Sequence, residues 1–217
     1  MVKRRLRQFT YASAALVVLV CLLYGGWLLW QRYQATHGPN PTIPTEVITH
    51  STDTPDETPP TEACDNYAVA ANEPRKIEVP SIGVSGCIQK VGLDQNNAIA
   101  VPTNIHLAGW YTGSKVPSQS GVSIIDGHVL GRYNDAIFKD LKNLRENDII
   151  RVQLGDTSWH EFTVISTGTY SVDKTMDEVY KPFEGESRLV LITCGGTYDR
   201  ASSSYNERVV VRSILVE

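Results

Sequence analysis

Apolar residues along this chain occur mostly in short runs of four to nine residues, a pattern that is typical of β-strands. Turn-forming residues such as Pro80, Gly83 and Gly155 separate the runs. Many short strands at close spacing predict a closed barrel or a sandwich. The runs that we predict to be strands are 76–79, 87–91, 98–101, 122–125, 149–154, 159–166, 189–193 and 208–216.

Helical periodicity is confined to two segments of the part of the chain that follows residue 75. In 135–144, the apolar residues Ile137, Phe138, Leu141 and Leu144 recur at three- and four-residue steps, which predicts an amphipathic helix. A second segment, 173–180, predicts one further helical turn. The fold class is therefore mainly β with one or two short helices.

Residues 9–30 form a run of 22 residues without a charged side chain. A helix of that length spans about 33 Å, which is enough to cross the hydrocarbon core of a membrane. The basic cluster at residues 3–7 predicts that the tail 1–8 is cytoplasmic, so we predict a transmembrane anchor with the rest of the chain outside. A cleaved signal peptide is the alternative, but its apolar core is normally shorter and is followed by a small-residue cleavage site.

The segment 31–74 is rich in proline and threonine and poor in apolar residues. Seven of the 11 prolines of the chain lie in it. Such a composition cannot bury enough apolar surface to offset the entropy that ordering costs. We therefore predict a disordered, extended linker that lifts a folded domain at 75–217 away from the membrane.

The four cysteines of the chain are Cys21, Cys64, Cys87 and Cys194. They form no CxxC pair and no His/Cys spacing typical of zinc, so the sequence predicts no metal site and no other cofactor. Because the predicted compartment is oxidising, a disulfide between Cys64 and Cys87 is one interpretation, and two independent thiols are the other. The disulfide would leave Cys194 free.

The charge of the chain is distributed unevenly. The 217 residues carry a net charge of −4, but five of the 20 basic residues precede residue 33 and no acidic residue precedes Glu46. The remainder is strongly acidic, which argues against nucleic-acid binding because that function needs a basic face. An apolar fraction of 41% is sufficient for a core.

A candidate nucleophile stands at the end of the apolar run 189–192. The run stops at Thr193, Cys194, Gly195 and Gly196. A thiol at the end of a buried strand, followed by two glycines that let another chain approach the backbone, is placed like a catalytic cysteine. The alternative is a structural cysteine that caps a core strand, because free cysteines are commonly buried.

Histidine is the usual base for a cysteine nucleophile, and His128 is the best placed of the five histidines. It follows the apolar run 122–125 through Asp126 and Gly127, so it also stands at the end of a predicted buried strand. His106 is the fallback. The other three are His37 and His50 in the predicted linker and His160 within a strand.

A catalytic cysteine also needs a donor for the oxyanion that develops on the attacked carbonyl group. Arg208, at the start of the last predicted strand, supplies a fixed positive charge for this role. Arg200 is the competing candidate. A solvated arginine at a strand end is the structural alternative for both residues.

These residues resemble a known family. The order His, Cys, Arg and the segment LITC resemble the TLxTC signature of the sortases, membrane-anchored cysteine transpeptidases of mainly Gram-positive bacteria. Class F is the closer match, through GWY at 109–111, GHV at 127–129, LITCGGTYDR at 191–200 and SYNERVVV at 204–211. Two positions depart from the class: Glu207 stands where class F commonly has Asn, which leaves the choice between Arg208 and Arg200 open. Asp126 is also atypical, and if it points inward it would raise the pKa of the neighbouring imidazole.

The resemblance implies an eight-stranded β-barrel in which His128, Cys194 and Arg208 converge, with Thr193 and the backbone N–H of Gly195 supporting the oxyanion. It implies that Cys194 attacks an LPxTG-like C-terminal sorting signal of secreted proteins to form a thioacyl enzyme. The acceptor would be an amine, either of a peptidoglycan precursor or of a pilin lysine. The implied location is the cell membrane, with the catalytic domain outside. A membrane-anchored β-domain that only binds a cell-surface partner is the alternative function.

Overall fold

The computed structural model describes residues 2–37, 43–52, 54–60, 64–181, 187–200 and 204–216, with the side chains of 17–34 described in the first helix. The chain forms two compact units, Met1–Pro39 and Asn40–Glu217. The first unit contains helix α1, Val2–His37. The second contains β1 Pro74–Val79, β2 Val84–Val91, β3 Ala108–Tyr111, β4 Gly121–Gly127, β5 Ile149–Leu154, β6 Trp159–Ser171, α2 Val172–Tyr180, β7 Ser187–Asp199 and β8 Ser204–Leu215.

The eight strands close into a barrel in the order β1-β2-β3-β4-β7-β8-β6-β5, and β5 pairs with β1 to complete the ring. Two neighbouring pairs are parallel, β2 with β3 and β4 with β7, and the others are antiparallel. The predicted closed, mainly β barrel is therefore confirmed. Closure pairs every strand on both sides and leaves no free sheet edge.

Strand β7 is buried on both of its faces. Leu189 and Leu191 belong to the core inside the barrel. The alternate residues Val190 and Ile192 pack in a second cluster, which includes Val179 of helix α2. Because side chains of a strand alternate between its two faces, a continuous apolar run is required where both faces are covered.

Most predicted strands are confirmed, and two differences have clear causes. The run 98–101 is not a strand; it is apolar because Ala100 packs in a small cluster with Ile48 and Val91. The sequence analysis missed β3, which has only four residues and pairs with β2 and β4. The predicted helical turn at 173–180 is confirmed as α2.

The amphipathic helix predicted for 135–144 is wrong. Only Leu141–Asn143 forms a short 3₁₀ helix. Consecutive turns with hydrogen bonds from Leu141 N to Phe138 O and from Leu144 N to Leu141 O replace the bonding pattern of an α-helix. The three- and four-residue spacing instead places Phe138, Leu141 and Leu144 into the barrel core.

Helix α1 includes the charge-free run 9–30, whose residues 9–16 have side chains outside the described part of the chain. Within the described residues, no helix is both long and apolar enough to cross a membrane. The described segment 17–34 ends in Gln31, Arg32 and Gln34, which lower its mean hydropathy. The predicted transmembrane helix is therefore not supported.

Much of the predicted linker 31–74 is ordered. Its first residues continue helix α1 as far as His37. Further along, Ile43, Ile48 and Tyr67 are buried, and Ile48 forms a parallel bridge with Val91 of β2. Composition misses this packing because a few apolar residues suffice to hold a segment on an existing barrel. Residues 38–42, 53 and 61–63 of the predicted linker lie outside the described residues.

Cys64 and Cys87 form a disulfide, which decides between the two interpretations left open by the sequence. The bond joins a 3₁₀ turn at Cys64–Asn66 to strand β2. Cys87 is buried beside Ile43, Tyr67 and Leu107. Cys21 and Cys194 are free thiols.

We predict that removing the disulfide destabilises the barrel substantially. The bond links residues separated by 23 positions, and cross-linking a loop of that length stabilises a fold by about 3 kcal/mol. Urea unfolding of the C64A/C87A variant should show this loss, with Cys21→Ala as the control for an exposed cysteine. A loss below about 0.5 kcal/mol, the range of ordinary surface substitutions, would contradict the prediction.

Candidate active site

Cys194 lies where β7 leaves the apolar core. The residues from Leu189 to Thr193 are mostly buried, Cys194 is half-buried, and the strand is exposed from Gly196 onward. Arg208 is directly opposite Cys194 in the antiparallel pairing of β7 with β8. Directly opposed side chains leave a sheet on the same face, so the guanidinium group and the thiol share one surface.

His128 reaches the same region through the parallel pairing of β4 with β7. The register pairs Asp126 with Ile192; His128 follows directly after the end of β4 at Gly127, and Cys194 lies two residues after Ile192. The buried Thr193 hydroxyl donates a 2.7 Å hydrogen bond to the carbonyl oxygen of Gly127. This bond ties the residue before the cysteine to the residue before the histidine.

The imidazole of His128 is held by Pro102. Its Nε2 atom lies 2.7 Å from the carbonyl oxygen of Pro102. A carbonyl oxygen only accepts hydrogen bonds, so Nε2 carries a proton and Nδ1 is the basic atom of the neutral ring. Burial lowers the pKa of His128, and the bond to Pro102 opposes that shift.

Burial raises the pKa of the Cys194 thiol. The positive charge of Arg208 opposes this shift, whereas Asp126 adds to it. A raised thiol pKa and a lowered imidazole pKa both favour neutral groups at neutral pH. The reactive pair of thiolate and imidazolium is therefore a minor species. The positive charge of Arg208 favours the thiolate of that pair.

Asp126 is the buried acid of the site. Its Oδ1 atom has no hydrogen-bond partner among the described residues. Burial raises the pKa of Asp126 well above its usual range, which favours the neutral carboxyl group. The expectation that an inward-pointing Asp126 raises the pKa of His128 is not met: burial lowers that pKa, and the group that opposes the shift is the carbonyl of Pro102.

A groove with a volume of about 410 Å³ lies beside the thiol. Cys194, Thr193 and Gly195 form part of its wall, so the predicted support residues border the same space as the nucleophile. The size suits a small ligand or a short peptide segment. The remaining lining residues are Val129, Leu130, Phe138, Lys139, Lys142, Thr169, Gly196, Tyr205, Glu207 and Val209.

The backbone after Cys194 bends at Gly196. This residue has φ +74°, a left-handed conformation that favours glycine. The pairing of β7 with β8 is irregular between Gly195 and Tyr198, and Thr197 N donates a 2.7 Å hydrogen bond to Asn206 Oδ1. An irregularity of this kind bends the strand locally.

Arg208 is also fixed by its own hairpin. Its Nη1 atom donates hydrogen bonds of 2.9 Å to Tyr205 O and 2.8 Å to Glu207 O. Arg200, in contrast, is exposed and follows the end of β7, six positions beyond Cys194, a distance of roughly 20 Å along a strand. The geometry brings Arg208, and not Arg200, to the cysteine.

His106 and His160 have hydrogen-bond partners away from the cysteine. His106 Nε2 lies 3.0 Å from the carbonyl oxygen of Glu57. His160 Nε2 lies 3.4 Å from Oγ of Ser158, the residue before β6. His50 is exposed, and the side chain of His37 lies outside the described part of the chain. Among the described residues, no group of three or more His, Cys, Asp or Glu side chains is arranged to hold a metal ion.

Pro102 is a member of the site that was not predicted. It acts through its backbone carbonyl group, which every residue carries, so no side-chain pattern in the sequence could reveal it. Tyr205 of the groove, whose position became clear only from the pairing of the β7–β8 hairpin, was not predicted either.

Comparisons with known proteins agree with this geometry. The family described as "Sortase domain" matches residues 77–216. Sortase A from Corynebacterium diphtheriae is 22% identical with a TM-score of 0.50, and the match covers 67% of this chain and 61% of that one. Group B Streptococcus Pilus Island 1 Sortase C2 is 19% identical with a TM-score of 0.51, covering 69% and 77%. Pilus-related Sortase C of Group B Streptococcus is 18% identical with a TM-score of 0.52, covering 78% and 82%.

At these identities the solved structures establish the fold alone, and no curated protein matches the sequence. The family match is more informative, because it extends over almost the whole barrel and includes His128, Cys194 and Arg208. This chain therefore belongs to the sortases, a family of cysteine transpeptidases.

Proposed function

We propose that this protein cleaves an LPxTG-like C-terminal sorting signal of secreted proteins and transfers the acyl part to an amine. The observation that carries the proposal is the register that pairs Cys194 with Arg208 and aligns β7 with the strand that precedes His128. The groove beside the thiol is the proposed site for the peptide.

In the first step, the Cys194 thiolate attacks the threonine carbonyl carbon of the sorting signal. A C–S bond forms, and the negative charge moves to the carbonyl oxygen. Arg208 and the backbone N–H of Gly195 are the proposed donors to that oxyanion, with Thr193 holding the strand in place. The C–N bond then breaks, and the His128 imidazolium gives its proton to the leaving amine.

In the second step, an acceptor amine attacks the thioester. Neutral His128 takes the proton that this amine loses, the C–S bond breaks, and the thiolate is regenerated. With Nε2 held by Pro102, Nδ1 is the atom available for both proton transfers. The proposed acceptor is the amine of a peptidoglycan precursor or of a pilin lysine.

The proposed place of action is outside the cell membrane. The disulfide between Cys64 and Cys87 supports an oxidising compartment. The likeness to class F sortases, carried by motifs that include GHV at 127–129, stays a prediction.

Replacing the nucleophile tests the proposal directly. We expect Cys194→Ala to reduce cleavage of an LPxTG-type peptide to background, because alanine cannot form the thioester. Chromatographic detection of the cleaved peptide measures this, and Cys21→Ala serves as the control with wild-type activity. Cleavage that survives in Cys194→Ala would contradict the proposal.

The two arginines give a second prediction. Loss of an oxyanion donor costs about 10²- to 10³-fold in kcat, so we expect Arg208→Ala to fall into this range. Arg200→Ala, at an exposed position beyond the strand end, should stay within about twofold of wild type. Steady-state peptide cleavage compares the variants, and the reverse ranking would assign the role to Arg200.

The pH dependence of thiol reactivity gives a third prediction. Alkylation requires the thiolate, so the rate should rise with pH through the raised pKa of Cys194, with a midpoint above that of a free cysteine in solution. Iodoacetamide labelling followed by mass spectrometry measures this in a Cys21→Ala background, which removes the other free thiol. Arg208→Ala should move the midpoint higher still, because the positive charge opposes the shift. A wild-type midpoint below that of a free cysteine measured in the same buffer would contradict a pKa raised by burial.

A further inference from the structure

Residues 54–58, which we call the N-terminal strap, are bonded to the segment that follows Pro102. Asp56 N donates to Thr103 O and Ile105 N donates to Asp56 O, each at 2.9 Å. Asn104 Nδ2 donates a 2.8 Å hydrogen bond to the carbonyl oxygen of Thr58. The strap therefore forms a short parallel bridge with the segment that directly follows Pro102. The carbonyl oxygen of Pro102 is the atom that holds the ring of His128.

The strap also delivers a buried carboxylate. Glu57 is only 5% exposed, and its carboxylate lies in the loop that follows His128. Arg132 N donates to Oε1, Tyr133 N donates to both oxygens at 3.2 and 3.1 Å, and Asn134 Nδ2 donates to Oε2 at 2.9 Å. Three consecutive residues of one loop are thus gathered by a single side chain from a distant part of the chain.

Gly131 makes room for this carboxylate. A Cβ atom at Gly131 would lie 2.7 Å from both Cδ and Oε1 of Glu57, so any larger residue would displace the acid. The same loop is closed by a hydrogen bond from Gly131 N to Asn134 O and by a bridge between Leu130 and Asp135. The carboxylate fills a turn that is shaped to receive it.

This loop carries two parts of the active site. It begins at His128, whose carbonyl oxygen accepts a hydrogen bond from Phe138 N. Its residues Val129 and Leu130 line the groove beside Cys194. A displacement of the loop would therefore move the imidazole and one wall of the groove together.

We infer that Glu57 is a positioning residue that holds the loop 128–134 so that His128 and the groove wall meet the sorting-signal peptide. The inference rests on the proposed function. It gives a role to a segment whose composition predicts a disordered linker. Glu57 acts through the loop and through the segment 102–106. Charge-assisted hydrogen bonds to backbone N–H groups are stronger than neutral ones, which suits a carboxylate to this task.

Variants of Glu57 test the inference in the full chain. Small displacements of catalytic groups cost up to about 100-fold in rate, and we expect Glu57→Ala to lower kcat/KM for an LPxTG-type peptide by at least about tenfold. Glu57→Gln keeps an oxygen acceptor and should retain more activity than Glu57→Ala. Glu46→Gln, at an exposed position nearby in sequence, is the matched control and should match wild type.

An NMR titration of the His128 imidazole provides a readout that does not require peptide cleavage. In Glu57→Ala the ring should titrate at a different pH from wild type, because Glu57 bonds the loop that begins at His128 and the strap bonds the residues next to Pro102, whose carbonyl oxygen holds the ring. The rate at which iodoacetamide labels Cys194 in Glu57→Ala should stay within about twofold of the wild-type rate. Because Cys194 lies on β7, an unchanged rate shows that the barrel is intact.

The outcomes separate the inference from the proposed function. Wild-type kcat/KM and an unchanged His128 titration in folded Glu57→Ala would overturn the role of Glu57. A wild-type protein that cleaves no sorting peptide would count against the proposed function, while a shifted His128 titration would still support the positioning role. If Glu57→Ala fails to fold, the same measurements on Glu57→Gln decide, and wild-type values there would overturn the inference.

Discussion

The parallel pairing of β4 with β7 is the constraint on which the site depends. It brings together two strand ends from distant parts of the chain, and the bond from Thr193 to Gly127 fixes their relative position. Because side chains alternate along a strand, a slip of one residue would turn His128 or Cys194 to the opposite face. The apolar residues on both faces of β7 oppose such a slip. It would move the residues that pack inside the barrel to the outer cluster and those of the outer cluster to the inside. Packing of the core thus specifies the geometry of the chemistry.

Much of this arrangement is encoded locally. The continuous apolar run 189–192 predicts a strand with two covered faces, and the polar residues that follow it predict where the strand emerges. The same reasoning at 122–125 leads to His128. The choice between Arg208 and Arg200 is not encoded locally, because it depends on the antiparallel register of β7 with β8. The electrostatic effect of Asp126 also depends on burial, which a sequence pattern does not give.

Other features escaped prediction because they depend on long-range contacts. Phe138, Leu141 and Leu144 have helical spacing, yet they belong to a series of tight turns, and their side chains pack in the barrel core. The segment around Glu57 has the composition of a disordered linker. It is ordered because its polar groups find backbone and side-chain hydrogen-bond partners in the rest of the domain, and composition counts apolar residues but not such partners.

The central claim is that Cys194 forms a covalent acyl intermediate. The most direct measurement is intact-protein mass spectrometry after incubation with an LPxTG-type peptide and no added amine, followed by peptide mapping. The expected result is a mass increase equal to the peptide fragment that ends in its threonine less one water, as a thioester requires, located on the segment that contains Cys194. Cleavage of the peptide without such an adduct in rapidly quenched samples, or an adduct on another residue, would contradict the claim.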